Sequence, residues 1–165
     1  LAMDLASKYP DLIDRIVVVD ALPCLAAMMN PEFKSKTDPD CSEIHKQMMI
    51  SDEDFYKSQK RFISSMVADT TKHETIIDWS MKSDRKTCAE IYCDFSNTDL
   101  RETIKTISCP SLILLESYFI NFKDVIQKQY VNLENAQFQY ADKGLHFIMF
   151  DDTKWYMNQL QSFIQ

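Results

Sequence analysis

The sequence predicts an α/β fold built on a parallel sheet, with three strands visible among helices, and three observations predict it. The run Arg15-Ile-Val-Val-Val-Asp20 follows an amphipathic segment and is β-branched without polar alternation, the pattern of a strand covered on both faces in a parallel sheet. Ser-Leu-Ile-Leu-Leu at 111–115 and Ala-Gln-Phe-Gln-Tyr at 136–140 supply two more strands. The stretch Gly-Leu-His-Phe-Ile-Met-Phe-Asp-Asp at 144–152 then places a lone His146 ahead of a C-terminal helix, in which Trp155, Tyr156, Leu160, Phe163 and Ile164 recur at helical spacing.

The elements follow in order. Residues 1–9 read as a helix with Leu1, Leu5 and Ala6 on one face and Asp4 and Lys8 on the other, stopped by Pro10. Helix, turn and buried strand form half of a βαβ unit whose first strand would lie upstream of Leu1. Asp20 closes the strand at its C-terminal end, the edge where open α/β sheets place ligands. From residue 24 to about 94 the pattern turns to helices and loops: 24–29 is apolar, 31–41 polar and turn-rich, and Ser51-Asp-Glu-Asp54 resembles a capping box. The helix it opens carries Phe55, Gln59, Phe62, Ile63, Met66 and Val67 on one stripe, and Thr71-Lys-His-Glu74 opens another with Ile76, Ile77 and Trp79. Residues 99–107 read as a helix capped by Asp99 or Thr98 and broken at Ser108-Cys-Pro110, and 125–133 as a further helix.

Composition narrows the function classes. At 165 residues the chain has the size of one domain. It starts without Met and inside a helical pattern, so it is expected to be part of a larger fold. Its single Gly, Gly144, compares with about eleven at ordinary usage; parallel α/β folds concentrate Gly in their first turns, and an AT-rich coding bias acts in the same direction. A net charge of −7 opposes nucleic acid or an anionic membrane surface as the main partner, and no run approaches the ~18 apolar residues of a membrane span. The five Cys (24, 41, 88, 93, 109) form no CxxC pair and no zinc spacing with His45 or His73. They are expected to be unpaired, buried small residues, with no metal or cofactor site.

Residues 1–23, Leu-Ala-Met-Asp-Leu-Ala-Ser-Lys-Tyr-Pro-Asp-Leu-Ile-Asp-Arg-Ile-Val-Val-Val-Asp-Ala-Leu-Pro, resemble the segment of the α/β-hydrolase superfamily that follows the nucleophile elbow. Asp99-Leu-Arg … Ile107-x-x-Pro-x-Leu-Ile-Leu, Tyr130-x-x-Leu-x-x-Ala136 and His146-Phe with an acidic pair match later segments, so the resemblance covers essentially the whole chain and is weakest at 24–98. It implies three regions: 1–23 as core helix and strand, 24–98 as an inserted helical cap shielding an apolar pocket, and 99–165 as the C-terminal core with the His loop. It places the nucleophilic Ser of G-x-S-x-G on the turn entering the first helix, just upstream of Leu1.

Acyl transfer in that superfamily needs a nucleophile, a His base and a carboxylate to orient the imidazole. The resemblance assigns the base to His146. The usual acid position, after the strand at 111–115, is occupied by Phe119. Asp20, at the superfamily's second acid position, is therefore preferred, with Glu116 and Asp124 as alternatives. Two readings stay open. One is the C-terminal portion of a serine hydrolase acting on a small apolar ester or amide, inactive without the missing N-terminal half of the same fold. The other is a non-catalytic partner-binding protein on the hydrolase scaffold, and a Gly or Ala in place of the upstream Ser would favour it.

Overall fold

The computed structural model describes residues 1–165. Helix α1 (Ala2–Lys8) leads into strand β1 (Ile16–Val19); helices α2 (Ser42–Met48), α3 (Asp52–Met66), α4 (His73–Lys82) and α5 (Arg85–Asn97) follow, and the chain returns through β2 (Ser111–Leu115), α6 (Lys123–Gln129) and β3 (Ala136–Tyr140) to α7 (Ile148–Asp151) and α8 (Thr153–Ile164). The strands form one parallel sheet in the order β1-β2-β3, with Ile16 opposite Ser111 and Ser111 opposite Ala136. All three C-terminal ends therefore reach the same edge, and Asp20, Glu116 and the 141–147 loop share it.

All five residues of β2 are buried, as the middle strand of a covered parallel sheet requires. β1 departs from its expectation: Ile16 and Val18 are buried, but Val17 and Val19 are only half-buried, so one face alone is fully covered. Under the sheet Met3, Ala6, Ile104, Ile113, Ile126 and Tyr130 belong to one core cluster, which α1 and α6 help to close. A second, smaller cluster lies between α3 and α4, formed by Ile63, Val67, Ile76 and Ile77, with Phe147 and Phe150 of the His segment packed against it.

The capping reading of Ser51 holds, since its Oγ accepts from the Asp54 N–H at 3.2 Å. Two helix expectations are corrected. Residues 99–107 form only a 3₁₀ turn, Thr103–Thr106. Asp99 is held by the Arg101 guanidinium at 2.8 and 2.7 Å, Arg101 also donates to the Pro31 and Phe33 carbonyls, and Leu100 N–H bonds Pro23 O. Those distant partners draw the backbone out of the helix that local propensity favours. The helix expected over 125–133 begins at Lys123 and ends at Gln129, because Tyr130 turns into the core and its hydroxyl donates to Ala21 O. The expectation of five unpaired cysteines is corrected at one pair: Cys41, at the start of α2, is joined to Cys93 of α5, with a Cα–Cα separation of 5.6 Å. Cys24 and Cys109 are buried thiols, and Cys88 is a half-exposed one. No helix is long and apolar enough to cross a membrane.

Candidate active site

β1 delivers Asp20 to the C-terminal edge of the sheet with its backbone at φ 46°, a left-handed conformation that Asp tolerates better than most residues and that β-branched residues avoid. The twist turns the carboxylate along the sheet edge, where it is 2 % exposed. One oxygen accepts the Glu116 N–H at 2.7 Å and the other accepts Nδ1–H of His146 at 2.7 Å. A buried carboxylate with both oxygens engaged is the arrangement that keeps such a charge affordable. Because an ionised carboxylate only accepts, Nδ1 carries the proton and Nε2 of the neutral ring is left with its lone pair. Nε2 makes no hydrogen bond within the chain, and the imidazole is 41 % exposed.

The loop carrying His146 is fastened on two sides. On the sheet side the Gly144 carbonyl accepts from the Ser117 hydroxyl at 2.8 Å and the Ser117 N–H at 3.3 Å. On the helical side Asp151 accepts from Leu145 N–H at 2.8 Å, Ala68 N–H at 2.9 Å and Asp69 N–H at 2.9 Å, and Phe147 N–H donates to Met66 O at 3.1 Å. The only Gly of the chain sits where this closure demands it. Its φ is 102°, and a Cβ there would stand 2.9 Å from Cβ of Asp151.

Electrostatics couple three groups. The hydrogen bond that His146 donates to Asp20 raises its pKa above the ordinary value; partial burial opposes this, and the charges of Asp20 and Glu116 reinforce it. Burial, together with the neighbouring Asp20 charge, pushes the Glu116 carboxyl up to about 6, against the opposing effect of His146. An imidazole oriented through Nδ1 by a carboxylate and open at Nε2 can accept a proton from a nucleophile and return it to a leaving group.

The structure thus brings together His146 and Asp20. It does not bring Asp124 to them, because that residue lies on the exposed start of α6. Phe119, in the usual acid position, packs against the main core. Glu116, an alternative acid in the sequence reading, contributes its backbone N–H to Asp20 and a second carboxyl beside the ring. Asp151 was visible in the sequence only as half of an acidic pair; the solitary Gly144 seven residues before it was the available sign of a close approach. His73 is structural, its Nε2–H donating to Val67 O at 2.8 Å.

A parallel sheet with an aspartate–histidine pair on its C-terminal edge and a helical insertion between β1 and β2 defines the class: the chain has the α/β-hydrolase fold. It superposes on the enol-lactonase of Burkholderia xenovorans with a TM-score of 0.76 at 12% identity, covering 99% of this chain and 60% of that one. A hydrolase of Pseudomonas aeruginosa gives a TM-score of 0.76 at 16% identity over 99% and 60% of the two chains, and an esterase of Exiguobacterium antarcticum 0.70 at 15% identity over 98% and 63%. The chain therefore spans about 60% of the length of the solved structures it matches. No protein-family model matches the sequence, and none of the curated proteins does.

Proposed function

We propose that these residues are the C-terminal portion of a serine hydrolase acting on a small apolar ester or amide, with His146 as general base and Asp20 as the acid that orients it. Residues 1–23 and 99–165 act as its core and 24–98 as its cap. The observation that carries the reading is the 2.7 Å contact between His146 Nδ1 and buried Asp20, with Nε2 left open at the sheet edge. With one Gly, the 165 residues contain no G-x-S-x-G. The nucleophile and its oxyanion-stabilising amides come from residues of the fold preceding Leu1, on the turn that enters α1.

In this mechanism Nε2 takes the Ser proton as the hydroxyl attacks the carbonyl, and Asp20 stabilises the resulting imidazolium. The proton then passes to the leaving group. The test is hydrolysis of a p-nitrophenyl ester by a protein that includes the preceding segment. Turnover is expected to vanish with Ala at the elbow Ser and with His146→Ala, while the 165 residues alone show none. A Gly or Ala at the elbow position, with no turnover, would instead identify a non-catalytic binding protein on this scaffold. Turnover by the 165 residues alone, abolished by His146→Ala, would overturn the reading from the other side.

A further inference from the structure

A cavity of about 620 Å³ lies among α2, α3, α4 and α5, and Phe147, the residue after His146, forms part of its wall. Its lining is decisive about chemistry. Ten of fifteen lining residues are hydrophobic, Ile44, Met48, Phe62 and Ile76 among them, and the other five are Ser and Gln, with no Asp, Glu, Lys, Arg or His. A cavity without a charged side chain cannot compensate the desolvation of a carboxylate, phosphate or ammonium group, so its occupant is neutral. Its size falls within the range of dedicated ligand sites. If a methylene takes roughly the ~30 Å³ share of a water molecule, the space would hold about twenty when full and about ten to fourteen at realistic filling.

The position relative to the reacting atoms gives the orientation. The Phe147 ring meets the His146 ring edge-on at 5.5 Å and stacks on Phe150 at 6.0 Å. Phe147 and Phe150 pack against the α3–α4 cluster, while the adjoining imidazole is bonded to Asp20 at the sheet edge. Phe147 is thus the residue that the cavity wall shares with the surroundings of His146, and a molecule with its carbonyl at His146 would reach the cavity past this ring. Building on the hydrolase reading, we infer that the cavity binds the uncharged alkyl chain, about ten to fourteen carbons long, of the substrate, so that the substrate class is a medium-chain aliphatic ester or amide. The chain's own residues do this by shape and an uncharged, largely apolar lining, and Phe147 forms the boundary between tail and reacting group.

The cavity contains its own reporter. Cys88 lines it and is the one thiol that is neither buried nor paired. Iodoacetamide alkylates an accessible thiolate, forming an S–C bond and releasing iodide, and an occupied cavity blocks that approach. The experiment follows Cys88 alkylation by peptide mass spectrometry in a protein that includes the preceding segment, its elbow Ser replaced by Ala so that no ester is turned over, with methyl decanoate, methyl butanoate and decanoate each at the same concentration below micelle formation. Methyl decanoate is expected to slow Cys88 alkylation at least fivefold, while methyl butanoate and the decanoate anion leave it within twofold. Ser80→Phe and Ser58→Phe, on two different helices, each place a ring in the cavity. Each is expected to abolish the protection by methyl decanoate, with an unchanged melting temperature showing that the fold is intact.

Equal protection by the ester and the anion, protection by methyl butanoate, or protection that survives both filling variants would overturn the inference. A neutral naphthyl ester of matching size that protects better than methyl decanoate would overturn the choice of an alkyl chain. Because the readout is binding without turnover, failure here leaves the roles of His146 and Asp20 intact, and failure of ester hydrolysis leaves this measurement intact.

Discussion

Replacing Asp20 by Asn keeps the volume and one acceptor oxygen at the sheet edge but reverses what faces His146. The Asn carbonyl can continue to accept the Glu116 N–H now held at 2.7 Å, which leaves the amide NH₂ against Nδ1. A donor there converts Nδ1 from donor to acceptor and moves the ring proton to Nε2, the atom that the proposed mechanism needs open. The corresponding Asp→Asn change in a Ser-His-Asp protease lowers kcat about 10⁴-fold, or about 5 kcal/mol of transition-state stabilisation at ~1.36 kcal/mol per tenfold. A loss of that order is expected here in a protein that includes the nucleophile segment. The 165-residue chain tests the cause directly through long-range ¹⁵N–¹H spectra of its three His rings at alkaline pH, with His45 and His73 assigned by single substitution. Native His146 is expected as the Nδ1–H tautomer and the Asp20→Asn ring as Nε2–H. The titration midpoint of His146 should fall in the variant, since the Asp20 hydrogen bond is the main cause of its rise. A variant that retains the Nδ1–H form with an unchanged midpoint refutes the reasoning.

Stability should fall with pH across this site. The Glu116 carboxyl, raised from 4.5 to about 6, binds its proton more tightly folded than unfolded, so its penalty is absent below about 4.5 and complete above about 6. At ~1.36 kcal/mol per pKa unit this is about 2 kcal/mol, cut to about 1 by solvent screening. Glu116→Gln should therefore gain up to about 1 kcal/mol at pH 7.5, flatten the urea-melt slope between pH 4.5 and 6, and lower the His146 midpoint; equal melts at pH 4.5 and 7.5 in the native chain would contradict this. His146 is also raised in the folded state, so its stabilising pairing is complete below pH 6.5 and is lost as pH rises through the folded value. The destabilisation caused by His146→Gln should accordingly be larger at pH 5.5 than at pH 9. Gly144→Ala meets both a φ of 102° and a Cβ contact of 2.9 Å; a loss of about 2–3 kcal/mol is expected in urea melts, and a loss below about 0.5 would show that the loop relaxes freely. Asp151→Ala strips the acceptor from three amides. It should cost about 2–3 kcal/mol and speed hydrogen exchange at Ala68, Asp69 and Leu145, and unchanged exchange at all three would show that water replaces the carboxylate without loss.

Periodicity made the three strands legible to within a residue, because β-branched and aliphatic runs bounded by Pro and polar residues have few other outcomes. The Asp20–His146 pair was legible for a different reason: the resemblance implied a base at His146 and an alternative acid position at Asp20, the usual acid position held Phe119, and a carboxylate ending a buried strand needs a partner. What stayed hidden depended on distant contacts. Asp99 had the sequence of an N-cap, yet Arg101 took its carboxylate and tied the segment to Pro31 and Phe33. The Cys41–Cys93 pair was invisible because nothing in a 52-residue separation indicates that α2 and α5 lie side by side. Asp151 was nearly as opaque: its three backbone N–H partners leave no mark on the side-chain pattern, and only the solitary Gly144 marked the close approach.

The same contacts set how His146 is held. His146 receives its orientation from the sheet through Asp20, but the loop bearing it takes its hydrogen bonds from both layers: Ser117 at Gly144 on one side, and Met66 and the Asp151-bound amides of Ala68 and Asp69 on the other. The carboxylate of Asp151 is the shared point, because it accepts from α3's C-terminal exit and from Leu145, next to His146, at once. A displacement of α3 relative to the sheet cannot occur without breaking these bonds or moving the loop. The α3–α4 core that lines the cavity is thus linked to the imidazole at the sheet edge, with Phe147 packed against the former and next in the chain to His146. Substitutions in the helical insertion that loosen α3 should then disturb the Asp20–His146 geometry even though none of them touches either residue.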